Sequence, residues 1–225
     1  MPRGRSLSDD IVLERAMQVF WRRGYAGTSL RELTQATGLG SAALYHRYAD
    51  KQSLFVRVLG RYADRGLAQR IARLSVQPSP LQALRSFFEE LVAASLADPE
   101  RRGCLLVNTA LDGADMGEAA RETVRARLGE VESFFASRLA CAVAAGALPP
   151  GTDVAARAAA LLGSVFAIRV AARLYGDPQR LRTLAAHALA FIEAAPPVKR
   201  VVHGCAPGPR AARAPRKRAA RTPST

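Results

Sequence analysis

Apolar residues along the chain recur at steps of three and four, the period of helices that each bury one face. Val12, Ala16, Val19 and Phe20 set this rhythm first. They follow Ser8-Asp9-Asp10, where a hydroxyl able to cap free amides and two acids at the positive end of the helix dipole mark a start. Gly24 stops that helix. A short second helix follows Thr28-Ser29, with Ser29 and Glu32 spaced as a capping box and Leu30 and Leu33 facing inward. Beyond Gly38 a third runs from Gly40 to Tyr48 and a fourth from Lys51 to Leu74, ended by Pro78 and Pro80. Further helices are expected over Pro80 to Ala97, Cys104 to Asp112, Glu118 to Ala145, Asp153 to Tyr175 and Pro178 to Glu193, with Asp153 and Asp177-Pro178 as legible starts. No strand alternation or hairpin signal competes with them, so the fold class is all-α.

Two short helices joined by a glycine-containing turn are the arrangement that seats a second helix in a DNA groove. The helix from Asp153 to Tyr175 has another character. It is rich in alanine, contains Gly163 and Ser164 and carries few charges, which suits a central core helix, a subunit interface shared with residues 178–193, or both.

Composition adds a partner class. The 225 residues are 49% hydrophobic and 23% charged, as in an ordinary globular chain, but 33 basic against 19 acidic side chains leave a net charge of +14. Such a surplus points to a polyanion, nucleic acid or an anionic membrane surface. Its distribution is uneven: residues 1–66 hold 11 basic and 6 acidic groups, residues 67–198 hold 14 and 13, and residues 199–225 hold 8 and none. The chain accordingly divides into a basic arm (1–7) with Arg3 and Arg5, a DNA-reading domain (8–66, its helix-turn-helix at about 30–49), a near-neutral helical domain (67–195) and a basic tail (196–225). The tail has almost no large apolar residues to offset ordering entropy and is expected to be disordered. Its charge either attracts phosphates or reflects a general preference for arginine, of which there are 30 against 3 lysines.

Other classes are disfavoured. The longest uncharged helical run, Ala158 to Ile168, is 11 residues, whereas a membrane span needs about 20. Met-Pro-Arg-Gly-Arg leads into polar residues, not an apolar export signal, so a cytoplasmic protein without a membrane partner is expected. Cys104, Cys141 and Cys205 are odd in number and far apart, which fits reduced thiols and no metal site. The three histidines lie in the third helix, the last helix and the tail, and no GxSxG, phosphate loop or HExxH occurs, so no catalytic set and no cofactor is expected.

The stretches Ala16-Met-Gln-Val-Phe20, Arg23-Gly-Tyr-Ala-Gly-Thr-Ser-Leu-Arg-Glu-Leu33, Ala36-Thr-Gly-Leu39, Ala43-Leu-Tyr-His-Arg-Tyr48 and Asp50-Lys-Gln-Ser-Leu-Phe55 resemble the DNA-binding domain of TetR-family transcriptional regulators over about 55 residues. Phe20, Tyr25, Leu30, Leu33 and Leu44 would form the small core that fixes the two short helices to the first. The resemblance implies that Thr28 and Lys51 bind backbone phosphate and that Tyr45 and His46 contact phosphate or base. Gly40, Ser41 and Ala42 form the leading end of the recognition helix, and Ser29, Arg31, Gly38 and Arg47 complete the DNA-facing set. Taken singly, Tyr45 could pack, His46 could be a solvated residue, and Lys51 could oppose a nearby acid. Where family members commonly have Ser-Lys-Gly this chain has Gly40-Ser41-Ala42, so a usual basic contact is missing and Arg31 or Arg47 would substitute. The arm could enter the minor groove or hang free.

The resemblance further implies a homodimer formed through helices 153–175 and 178–193, a pseudo-palindromic double-stranded operator, and repression relieved when a small-molecule effector binds the C-terminal domain. A ligand-independent nucleic-acid-packaging protein, using the tail, is the alternative. Arg101-Arg102-Gly103-Cys104-Leu105 resembles the corresponding segment of a subset that senses electrophiles and oxidants. Cys104 could equally pack as a small hydrophobe, line a pocket, or react as a thiolate favoured by its arginines. Phe87, Cys104, Asn108, Phe134 and Phe166 are the candidate effector-pocket residues, with core packing the competing role for the phenylalanines.

Overall fold

The computed structural model describes residues 7–112 and 116–193. Arg3, Arg5, Cys205 and the basic tail, with the expectations attached to them, lie outside the described residues. Every described regular element is helical: α1 (Asp9–Arg23), α2 (Leu30–Thr37), α3 (Ser41–Tyr48), α4 (Lys51–Tyr62), α5 (Gln69–Ser75), α6 (Pro80–Leu96), α7 (Leu105–Leu111), α8 (Glu118–Ala144), α9 (Val154–Leu174) and α10 (Pro178–Glu193).

The local signals act as their chemistry dictates, with two exceptions. Ser29 Oγ accepts from the Glu32 amide at 3.3 Å while the Glu32 carboxylate accepts from the Ser29 amide at 2.9 Å, the reciprocal pair that starts α2. Asp50, Asp153 and Asp177 each accept a backbone N–H at the start of α4, α9 and α10. Ser8 stands at the N-cap of α1 without a side-chain capping bond. The two acids behind it reach across the domain instead, Asp9 to Tyr48 and Arg57 and Asp10 to Arg61, tying α1 to α3 and α4. The second exception is the expected helix from Lys51 to Leu74. It continues to Ser75, but Ala63–Ala68 widens into a π-helical stretch between α4 and α5.

Two apolar cores form. In the first, Val12, Ala16 and Phe20 of α1 meet Leu33, Leu44, Leu54, Phe55 and Val58. The Phe20 and Phe55 rings stand 4.7 Å apart and Tyr25 lies 5.1 Å from Phe55. Each fully buried phenylalanine contributes about 2–3 kcal/mol by transfer from water. In the second, the Phe87, Phe88, Phe134 and Phe135 rings interlock at 4.9 to 5.9 Å and are flanked by Leu161, Val165 and Ile168 of α9 and Leu181 of α10.

The boundary expected at residue 66 does not separate these cores. Leu105, Leu106 and Val107 of α7, with Met116, Ala120 and Val124, pack into the first. The 27 residues of α8, about 40 Å long, therefore serve both: the first turns close the DNA-reading core, and Val131, Phe134, Phe135 and Leu139 belong to the second.

By length and composition, α9 is long and apolar enough to cross a membrane, which the length of its uncharged run does not reveal. One side of it is core. Arg157, 6% exposed, donates to the Phe191 and Ile192 carbonyls and so satisfies the frayed end of α10. The other side, with Ala159, Ala160, Gly163, Ala167, Val170 and Leu174, is open or half-open.

Candidate nucleic-acid interface and effector cavity

The recognition helix is held from behind and bare in front. Leu44 and Tyr48 point into the first core, while Ser41, Ala42, Tyr45 and His46 are exposed. This division follows from helix geometry, since positions 44 and 48 share one face four residues apart. Gly38 lies at φ 74°, the left-handed turn that ends α2 and lets α3 depart at an angle. Gly40 has an ordinary φ of −65°, and a Cβ there would meet nothing within 4 Å. Nothing among the described residues requires glycine at 40.

Lys51 stands at the first position of α4 with its Nζ 4.4 Å from the Tyr25 ring centroid, and partial burial lowers its pKa from the usual lysine value while Glu32 opposes that shift. Glu32 also pairs with Arg23 at 2.8 Å. Arg31 is exposed, with no side-chain partner among the described residues. Arg47 is more constrained: it donates to the Leu7 carbonyl at 3.0 Å, which holds the segment entering α1 against α3. Tyr48 donates to Asp9 at 2.5 Å, and burial first, then this bond, push its pKa up to about 12.

Thr28 departs from its expected role. It is 2% exposed and its hydroxyl donates to the Gly24 carbonyl at 2.7 Å, so the side chain closes the turn before α2 rather than offering a hydroxyl on the surface. Ser29, beside it, is exposed.

Farther along the chain, a partly open cavity of about 430 Å³ is lined by α1, α4 with its π-helical stretch, and α5 to α9. That volume lies within the range of small-molecule sites. Its aromatic walls are Trp21, Tyr62 and Phe87, and its polar ones include Arg70, Arg102 and Arg169. Trp21 and Tyr62 meet edge to face at 5.0 Å, and the Arg102 guanidinium lies 4.4 Å from the Trp21 centroid. The π-helical stretch contributes Gly66 and Leu67, which places the irregular turn of the α4 to α5 rod on the cavity itself. A wider depression of about 550 Å³ between α6 and α10 is lined mostly by Ala, Val and Leu beside Arg85, Glu89 and Arg182, and has neither aromatic ring nor thiol.

Two of the five expected pocket residues, Phe87 and Cys104, line the aromatic-walled cavity. The other three do not. Asn108 donates to the Arg102 carbonyl at 2.7 Å and so shapes the loop before α7. Phe134 is 4% exposed within the second core, and Phe166 packs against the first. The Tyr62 hydroxyl donates to Cys104 Sγ at 3.6 Å, and burial, followed by the neighbouring sulfur, drives the Tyr62 pKa upward. Cys104 is a buried free thiol and Cys141 an exposed one.

Trp21, Tyr62 and Arg169 were not among the candidates. Arg169 had a signal: it follows Leu161 and Val165 at four-residue steps, which puts a cation on the inward row of an apolar helix. Trp21 had none, because its helix is read with the first domain while its ring borders a cavity of the second.

The comparisons with known proteins fit both halves. Residues 12–58 match the family model for bacterial regulatory proteins of the tetR family, and residues 80–196 match that for the tetracyclin repressor-like C-terminal domain. The HTH-type transcriptional repressor ComR of Escherichia coli is 30% identical over 178 residues, 78% of this chain and 84% of that one. YezE of Bacillus subtilis, an HTH-type transcriptional regulator, is 31% identical over 81% of this chain and 94% of its own. Among solved structures, a cysteine mutant of the TetR family transcriptional regulator CifR, complexed with 26-bp double-strand operator DNA, superposes with a TM-score of 0.76 at 33% identity, covering 84% of this chain and 98% of that one. The paired short helices that leave Tyr45 bare, the helical body behind them, and these matches together make the chain a member of the TetR family of DNA-binding, helix-turn-helix transcription regulators.

Proposed function

We propose that the protein is a homodimeric, cytoplasmic repressor that binds a pseudo-palindromic operator through α3 and leaves it when a small molecule fills the aromatic-walled cavity. The observation that carries this reading is the bare face of α3, with Tyr45, His46, Ser41 and Ala42 outward, flanked by Arg31, Arg47 and Lys51. A face of this kind, small at its leading end and basic at its margins, suits entry into a major groove with phosphate contacts on either side. The CifR cysteine mutant, similar to this chain at 33% identity and a TM-score of 0.76, is complexed with operator DNA in its structure.

Dimerisation through α9 and α10 is supported by the chemistry of their open sides, which are alanine-rich and carry Val170 at 42% and Phe191 at 48% exposure. Release by ligand is supported by the walls of the cavity. Trp21 belongs to α1, and Tyr62, Gly66 and Arg70 lie on the rod that starts at Lys51, so occupancy acts on the same element that presents a phosphate contact. A second reading, electrophile capture by Cys104, is favoured by the thiol's place on the cavity wall under the Tyr62 hydroxyl.

The test is binding of the full chain to the DNA upstream of its own gene against random duplex at physiological salt. A preference of about 1000-fold or more is expected. A ratio near one would sink specific repression and favour nucleic-acid packaging. An electrophile response unchanged in Cys104→Ser would remove covalent capture.

A further inference from the structure

The aromatic-walled cavity is charged in a way that its arginine pairings do not cancel. Among the described residues four arginines line it, Arg70, Arg101, Arg102 and Arg169, against one carboxylate, Asp98. Three of the four are committed. Arg70 pairs with Glu90 at 3.1 Å, Arg102 with Asp98 at 3.2 Å, and Arg101 donates to the Tyr175 carbonyl from an exposed position. Arg169 is half-buried, and its guanidinium donates to Ser95 Oγ at 3.0 Å with no carboxylate partner among the described residues. Desolvation makes an uncompensated guanidinium costly, and the cost falls when an anion is brought to it. Arg169 also bears on its neighbour: Arg70 has its pKa lowered by burial first and by Arg169 second. The Trp21, Tyr62 and Phe87 rings line the same cavity, with Arg102 over Trp21 and Arg70 over Phe87, and Trp21 Nε1 is buried with no hydrogen-bond partner among the described residues.

We infer that the cavity takes an organic anion, a carboxylate or sulfonate on an apolar body, with the charged group on Arg169 and the body against Trp21, Tyr62 and Phe87. The inference rests on this cavity being the effector site and names the class of molecule that site selects. Arg169 shares the cavity wall with these rings and donates to Ser95, so a charge-assisted bond from its guanidinium and an apolar contact could be made by one ligand at once. A neutral ligand of the same shape would leave the guanidinium unpaired.

Trp21 is the chain's single tryptophan, so its emission reports on this cavity. The probes are anilinonaphthalene sulfonate and phenylnaphthylamine, which share their ring system and differ by the anionic group. Energy transfer from Trp21 to each dye is titrated in the full chain, in Arg169→Gln and in Arg169→Lys. The sulfonate should bind about tenfold or more tightly than the neutral amine to the wild type. The preference should vanish in Arg169→Gln and partly return in Arg169→Lys, with helicity and promoter binding unchanged in the absence of dye. Equal binding of the two dyes, a sulfonate preference that survives Arg169→Gln, or no transfer from Trp21 to either dye would each overturn the inference. None of these results touches promoter preference, whose absence would bring down the repressor reading separately.

Discussion

Helices α3 and α9 both leave one side uncovered, yet the two bare faces carry opposite chemistry. That of α3 is short, has small residues at its leading end, and is bordered by Arg31, Arg47 and Lys51. That of α9 is long and consists of Ala159, Ala160, Gly163, Ala167 and Val170, continued by Phe191 of α10. Exposure alone treats them alike. Their composition separates them: a polyanion satisfies the first, where charges need partners but water already solvates them, and only an apolar, close-fitting surface satisfies the second. In the proposed homodimer a symmetric interface would present each chain with that surface, since the same patch would meet itself.

The comparison breaks most visibly at Gly163. A Cβ built there meets nothing within 4 Å among the described residues, so Gly163→Glu should leave the monomer's packing intact while placing a carboxylate on the apolar face. The variant should sediment as a monomer with unchanged circular dichroism, and lose operator affinity by about 100-fold or more, because one half-site contact no longer holds the other in place. A dimer of wild-type affinity would show that α9 faces something else.

On the other face the effects are smaller and additive in kind. Tyr45→Ala removes a 40%-exposed side chain that the fold does not use and should cost operator affinity about ten- to a hundredfold, with stability within about 0.5 kcal/mol of wild type. Lys51→Ala should weaken specific and random duplex alike and lower the slope of log affinity against log salt by about 1. Wild-type binding by both variants would empty the α3 face of its assigned role. The head is also pinned by polar bonds that titrate. The Tyr48 phenol, held up to about 12 by burial and by its bond to Asp9, contributes stability that is present below the usual tyrosine value of 10.0 and lost as pH rises toward about 12. Tyr48→Phe should flatten that alkaline decline in a urea titration; an unchanged profile would show that the bond to Asp9 does not link stability to pH.

Much of the head could be read before the structure, for a physical reason. The capping box at Ser29 and Glu32, the stop at Gly38 and the inward row of Leu33 and Leu44 are local devices, decided within a few residues of sequence. The cavity is not local. Trp21, Tyr62, Phe87, Cys104 and Arg169 come from five separated segments and meet only in tertiary packing: Trp21 touches Tyr62 across α1 and α4, α6 packs on α9, and α7 and α8 join the first core to the second. The same logic explains Thr28 and Asn108. Each has a polar group that sequence leaves free to face a ligand, and each spends it on a backbone carbonyl that appears only once the turn or loop is formed. Phe134 and Phe166 fail in another way, since helical period tells that a ring is inward but not which of two neighbouring interiors receives it.

The finest difference between the two faces lies in how their helices end. The exposed side of α9 rests on regular backbone, whereas α3 is released into α4 through Ala49, whose φ of 65° is unusual for a residue with a Cβ. The Ala49 amide nonetheless donates to the Tyr45 carbonyl at 2.8 Å, so the turn is bonded as well as strained, and Asp50 follows at once as the cap of α4. A side chain at positive φ costs about 1–2 kcal/mol, and glycine, which lacks the clash, loses somewhat less than that in extra chain entropy. Ala49→Gly should therefore raise the urea midpoint by an amount worth about 0.5–1 kcal/mol, without changing the slope of the transition. Should it also weaken operator binding, the alanine is holding Tyr45 and Lys51 at a fixed separation across the turn; if it stabilises the chain and leaves binding alone, the capping bonds at Asp50 suffice for that task.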